Sequence, residues 1–140
     1  MIFETLENLW RQFKDHTHNG LDSKSVGGSS ITDRGTTADY DFDQTDLPLD
    51  FTAREIDLSA IVPGGTTFVL LGVRYKGGTV EDYLKFMSSA YDSTNARRIY
   101  VMVAASYDWD DVWIPVTSGK IGYKIPNTVT NVQLVVRAYI

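Results

Sequence analysis

The sequence predicts a mainly β chain: an antiparallel β-sandwich of jelly-roll type, preceded by a short N-terminal amphipathic helix and an extended arm. Three observations lead there. Beyond about residue 38, runs rich in Val, Ile, Tyr and Phe alternate apolar with polar residues, the mark of half-buried strands. These runs recur about every 10 to 15 residues, are closed by Gly, Pro, Asn or Asp, and have no helix-period segment between them, which suits packed antiparallel sheets. Residues 2–14, by contrast, repeat their apolar positions at three and four, the period of a helix.

Composition narrows the function. A chain of 140 residues buries roughly two-thirds of its unfolded surface, so one domain with its own core is expected, with room for an appendage. The formal charge of −5 would repel a phosphate backbone, which argues against nucleic acid as a partner. No cysteine is present, so disulfides, thiolate chemistry and Cys-based zinc sites are excluded. The apolar runs fall far short of the roughly 20 residues that span a bilayer, so no membrane insertion is expected. Met1-Ile2-Phe3-Glu4 has no basic stretch of the kind that opens a signal peptide, which predicts synthesis in a cytoplasm without export by that route.

The first element is "IFETLENLWRQFK". Ile2, Phe3, Leu6, Leu9, Trp10 and Phe13 form its apolar stripe, with Glu4, Glu7, Asn8, Arg11 and Gln12 between them. A helix of about a dozen residues is marginal alone in water, so the stripe must be covered. Ile2, Leu6, Leu9 and Phe13 fit a heptad seam, which makes self-association one way to cover it; a partner surface or the chain's own body are the others. From Asp15 to Thr37 the chain is polar and small, with turn chemistry at Asn19-Gly20 and Gly27-Gly28, and it reads as an arm. The predicted organisation is 1–37 as helix and arm for anchoring or oligomerisation, and 38–140 as the sandwich.

Strands are expected over 66–75, 83–88, 97–105, 111–116, 120–125 and 131–140, with shorter ones at 38–42 and 54–58. In the last, Val132, Leu134, Val136, Ala138 and Ile140 share one face by strict alternation, and Gln133, Val135, Arg137 and Tyr139 the other.

Three places are candidate sites. His16 and His18, with Asp22, could hold a metal ion, because side chains at i and i+2 of an extended segment converge. No further His or Cys exists to close such a site within one chain, although a symmetric trimer would bring six imidazoles to its axis. The other reading of "HTHNGLDS" is a polar turn. Asp39, Asp41, Asp43 and Asp50 fall at positions 1, 3, 5 and 12 of a calcium-loop count, but Gln44 stands where that loop needs glycine. An acidic edge strand with Tyr40 and Phe42 inward is the alternative. "SYDWDDVW" gathers Tyr107, Trp109 and Trp113 with three Asp residues, Asp108 and Asp110 among them, on an expected loop, where aromatics and carboxylates could hold a ligand or pin the loop to the core. For catalysis nothing suitable emerges: no nucleophile elbow, no phosphate loop, and no carboxylate pair placed to split its pKa values. The chain is therefore expected not to be an enzyme and to need no cofactor, apart from the metal ion that His16 and His18 of neighbouring subunits could share.

The N-terminal helix leading into "HTHNGLDSKSV", an H-x-H-x-G-x-D-S pattern over His16, His18, Gly20, Asp22 and Ser23, is similar to a motif of structural proteins in tailed bacteriophages: tail fibres, head fibres and related virion appendages. "REIDLSAIVPGGTTFVLLGVRYKGG", "GKIGYKI" and "VQLVVRAYI" resemble the β-sandwich modules of such proteins. The resemblance implies a virion component assembled in the host cytoplasm, commonly a homotrimer. Its N-terminal segment would attach to capsid, neck or tail, with His16, His18, Gly20, Asp22 and Ser23 at the junction. The chain is short for a fibre and has no shaft repeat, which implies a compact decoration, head-fibre, neck or adaptor piece. The competing function is a carbohydrate-binding module for a host surface glycan, with Tyr107, Trp109 and Trp113 as platform and Asp108 and Asp110 as acceptors.

Overall fold

The computed structural model describes residues 30–37, 39–88 and 96–140. The helix expected over residues 2–14 and the junction residues His16, His18, Gly20, Asp22 and Ser23 lie outside the described residues. The chain divides into two compact units, Met1–Ser30 and Ile31–Ile140.

Within the second unit run β1 (Thr32–Asp33), β2 (Phe42–Asp43), β3 (Arg54–Asp57), β4 (Phe68–Gly77), β5 (Tyr83–Met87), β6 (Arg97–Tyr100), β7 (Tyr107–Pro115), β8 (Lys120–Lys124) and β9 (Val129–Tyr139). Every pairing is antiparallel. Sheet A runs β1-β9-β4-β7, with β2 also on β9, and sheet B runs β3-β8-β5-β6. Strands that pass back and forth between two sheets in this order make a jelly roll, so the predicted fold class stands.

The core lies between the sheets because alternate residues of the long strands are apolar. β4 contributes Val69, Leu71, Val73 and Tyr75; β9 contributes Val132, Leu134 and Val136; and Leu84, Phe86, Ile121 and Tyr123 meet them from sheet B. Burying side chains of this size stabilises by about 1.5–3 kcal/mol each, which holds the sheets face to face.

Strict alternation fails twice in β9: Thr130 is passed over between Asn131, opposite Lys76, and Val129, opposite Gly77, and a second break lies near the strand's end. Leu70 pairs with Ala138 and Leu71 with Val136, so Arg137 has no partner on β4, and one extra residue in one strand is a β-bulge. The bulge exchanges the faces beyond it. Tyr139 packs against the core, while Ala138 lines the outer surface beside Leu70 and Trp113, opposite to the alternation from Val136.

Two other elements differ from expectation. β6 ends at Tyr100, not near residue 105, because the chain there leaves sheet B for sheet A; Met102 and Val103 sit 69% and 63% exposed in the turn. The turn folds tightly against β4: a Cβ on Gly77 would stand 2.4 Å from Val101 Cγ2. β7 starts at Tyr107 rather than Asp111. It is the edge of sheet A, where a strand can carry charge on both faces and still pair through its backbone.

The arm expected to reach Thr37 gives Thr32 and Asp33 to β9 as β1. Between β1 and β2 the chain leaves the sheet, and two side chains fill the gap. Asp41 Oδ2 accepts from the Val136 amide at 2.7 Å, and Arg34 Nη1 donates to the Val136 carbonyl at 2.7 Å. Arg34 and Asp41 also bond to each other at 2.7 and 3.2 Å. Residues 35–37, 39 and 40 thus belong to a loop closed at its root, and Gly35, Thr36, Thr37, Asp39 and Tyr40 border a hollow on the outer face of sheet A.

Candidate functional site

The segment expected to be a ligand loop is strand β7, and a strand has two faces. Its register on β4 sets Tyr107 opposite Lys76, Trp109 opposite Arg74, Asp111 opposite Gly72 and Trp113 opposite Leu70. Val112 and Ile114 pack into the core, so Tyr107, Trp109, Asp111 and Trp113 share the outer face. Asp108 and Asp110 alternate to the other side, which corrects the expectation that Asp108 serves beside Trp109, whereas Asp110 at this sheet edge still borders a depression with it. Asp108 instead lies 3.4 Å from the hydroxyl of Tyr75, which also donates to the Tyr100 carbonyl at 3.1 Å. Burial, reinforced by the Asp108 charge, pushes the Tyr75 phenol up to about 12. The two aspartates also serve their own backbone: the amides of Trp109 and Asp111 each donate to the carboxylate of the preceding aspartate at 2.9 Å.

On the outer face the aromatic rings and guanidinium groups form a row. The Arg74 guanidinium lies 3.9 Å from the Tyr107 ring centroid and 5.6 Å from that of Trp109, within the range of a cation–π attraction. Gln133 accepts from Arg74 Nη1 at 2.8 Å and steadies it. Trp109 meets Tyr40, from the 35–40 loop, at 6.0 Å between centroids. Tyr40 therefore faces outward while Phe42 packs inward against the core, unlike the shared inward face expected of them. Even with these neighbours, Trp109 stays 50% and Tyr107 46% exposed.

Beside this row the bulged Arg137 crosses the sheet and pairs with Asp111 at 2.8 Å. Gly72 makes that crossing open, since a Cβ there would lie 2.5 Å from Arg137 Nε and 3.0 Å from Val135 Cγ1. A hollow of about 260 Å³ results, with Trp109, Tyr40, Val135 and Arg137 around it and Thr36, Thr37 and Asp39 from the loop at its rim. Two shallower depressions adjoin it, one with Asp110 and Asp111 at its side and one beside Trp113, and Arg137 borders all three.

The calcium-loop count does not become a site. Asp41 is held by Arg34, Asp43 accepts from the Thr45 amide and hydroxyl, and Asp50 pairs with Arg54, so their oxygens are turned to different partners. Among the described residues no three acidic or imidazole side chains gather as metal ligands. His16 and His18 lie outside those residues. On sheet B a second aromatic group, Phe51, Tyr83 and Tyr100, carries Lys124 and Arg98 over its rings.

Tyr40, Arg74, Asp111 and Arg137 were not singled out by their sequence context. The one signal for them is Gly72 inside an apolar run, since glycine within a strand often marks a close approach. No family model, curated protein or solved structure matches the chain.

Proposed function

We propose that the chain is a non-enzymatic structural component of a tailed-phage virion, held to the particle through its N-terminal segment and displaying the jelly roll. The observation that carries this reading is the division of the chain after Ser30: the unit Ile31–Ile140 has its own strands and core, as a displayed module requires. The apolar stripe of Ile2, Phe3, Leu6, Leu9, Trp10 and Phe13 supports it from the other end, since such a stripe needs a covering surface. In this reading the partners are other copies of the chain, as a trimer, and a capsid, neck or tail protein. A metal ion shared by His16 and His18 of neighbouring subunits would strengthen the junction.

The test is co-sedimentation with virions together with the solution mass by light scattering. The wild-type chain should sediment with particles and run as an oligomer. The Leu6→Asp/Trp10→Asp variant should do neither while its jelly roll still melts cooperatively. If the variant kept both particle binding and oligomer mass, the anchoring role would be excluded. Loss of the oligomer on adding a chelator would assign the metal to the histidines.

A further inference from the structure

We propose that the hollow bordered by Trp109 and Tyr40 on the outer face of sheet A binds one uncharged hexose unit of a saccharide. This site does not depend on the virion reading, because it lies wholly within Ile31–Ile140.

The first reason is shape. A sugar ring offers an apolar face of C–H groups and a rim of hydroxyls, so it is matched by an aromatic plane bordered with hydrogen-bonding groups. Trp109 supplies such a plane, half exposed and held on a long strand between Arg74 and Tyr40. At about 260 Å³ the hollow is smaller than the roughly 300–1,000 Å³ of sites for drug-sized ligands, which suits a single ring. A protein partner would favour a broad apolar patch with a water-excluding rim, whereas this surface is narrow and mixed in polarity.

The second reason is the set of polar groups around that plane. Arg137 donates only, Asp39 accepts, and Thr36 and Thr37 can do both, with Asp111 in the adjoining depression. Hydroxyls, which donate and accept, can use all of them.

Charge then selects among sugars. Arg137 is already paired with Asp111, and Arg34 with Asp41, while Asp39 is exposed at the rim. A carboxylated sugar would meet Asp39 at the rim, with Asp111 close by, in a chain of net charge −5, while the Arg74 guanidinium near Trp109 is held by Gln133 over the Tyr107 ring and does not border the hollow. An uncharged hexose meets no such penalty.

The experiment uses the full chain, titrated with glucose, galactose and mannose oligosaccharides and, in parallel, with uronic-acid oligosaccharides. Binding is followed by tryptophan fluorescence and calorimetry. At least one neutral series should bind. Trp109→Ala and Tyr40→Ala should each weaken that binding by about tenfold or more, as for loss of an aromatic anchor. Trp109→Phe should retain most of it, and Asp108→Asn, on the other side of β7, should leave it unchanged. If Trp109→Ala fails to fold, Tyr40→Ala decides, because Tyr40 lies outside the core. A preference for the uronic-acid series, no neutral saccharide bound by the folded chain, or neutral binding unchanged in the folded aromatic variants would overturn the proposal. Trp109→Ala that loses particle retention while no saccharide binds would overturn it in favour of a protein contact. Particle retention lost in Leu6→Asp/Trp10→Asp with saccharide binding intact would separate the two functions.

Discussion

Arg34 and Asp41 together replace a missing strand: one donates to the Val136 carbonyl, the other accepts from the Val136 amide, and each bonds the other. Their side chains are only 22% and 12% exposed, so water cannot fully take over these bonds. Asp41→Ala leaves an amide and a guanidinium without their acceptor and should cost about 2–3 kcal/mol, the range for hydrogen bonds to charged groups. Chemical denaturation reads the loss, and faster amide exchange at Val136 should locate it. Stability unchanged within about 0.5 kcal/mol, the level of an ordinary surface substitution, would show that the clamp does not close the sheet.

Gly77 should be intolerant for a different reason. It is buried, and a Cβ there would meet Val101 at 2.4 and 2.8 Å. Gly77→Ala should destabilise by about 1–3 kcal/mol, as overpacking does, and should cost less in a Val101→Ala background, where the buried Val101 methyls are gone. An equal cost in both backgrounds would exclude this contact as the cause.

Tyr75 makes the alkaline limb of the stability curve predictable. The folded state keeps its phenol proton to about pH 12, against 10 for the ordinary value. Between those values the unfolded chain holds fewer protons, so stability falls as pH rises through that window. Tyr75→Phe should flatten this part of the curve, and Asp108→Asn should lower the phenol's titration, since one repelling charge is gone. A spectrophotometric titration of the tyrosines in which Asp108→Asn shifts nothing would rule out that coupling.

Acid acts through the carboxylates of the loops. The Arg54 guanidinium, then the Thr52 amide, holds Asp50 at about 2, against 3.8 normally. Asp43, bonded by the Thr45 hydroxyl and amide, and Asp57, bonded by Ser59, are displaced the same way. Below pH 3.8 the unfolded chain takes up protons before the folded one, so the stabilisation present at neutral pH is lost between about pH 4 and 2. These groups are exposed, so the effect should be modest and weaken with salt. Asp50→Asn should flatten the limb in low-salt thermal melts; an unchanged acid limb would exclude the pair as a contributor.

What was legible in the sequence follows from what is local. Val69, Leu71, Val73 and Tyr75 alternate because one face of β4 meets a core, and that pattern is visible without any partner. β1 and β2 contribute two residues each, too few for a period, so their place on β9 could not be read. The start of β7 was hidden because Asp108 and Asp110 face water on the side where a central strand would show apolar residues. A loop has no two faces, so the sequence does not separate Asp111, opposite Gly72 on the outer face, from Asp108, which turns to Tyr75. The bulge at Arg137 arises from pairing with Leu70 and Leu71, far away in sequence, so strict alternation misplaced Ala138 and Tyr139. Gly72 and Arg137 meet across two strands, and their hollow appears only in the folded sheet.

A strand at the rim of a sheet ordinarily offers its spare backbone to any passing strand. In β7 the amides of Trp109 and Asp111 are already occupied by the carboxylates of Asp108 and Asp110, and Pro115 has no amide hydrogen to give. Copies pressed side by side at high local density would meet rims with fewer free amides and a row of negative charge. They could be crowded without zippering into fibrils, leaving Trp109 and its neighbours free to face outward.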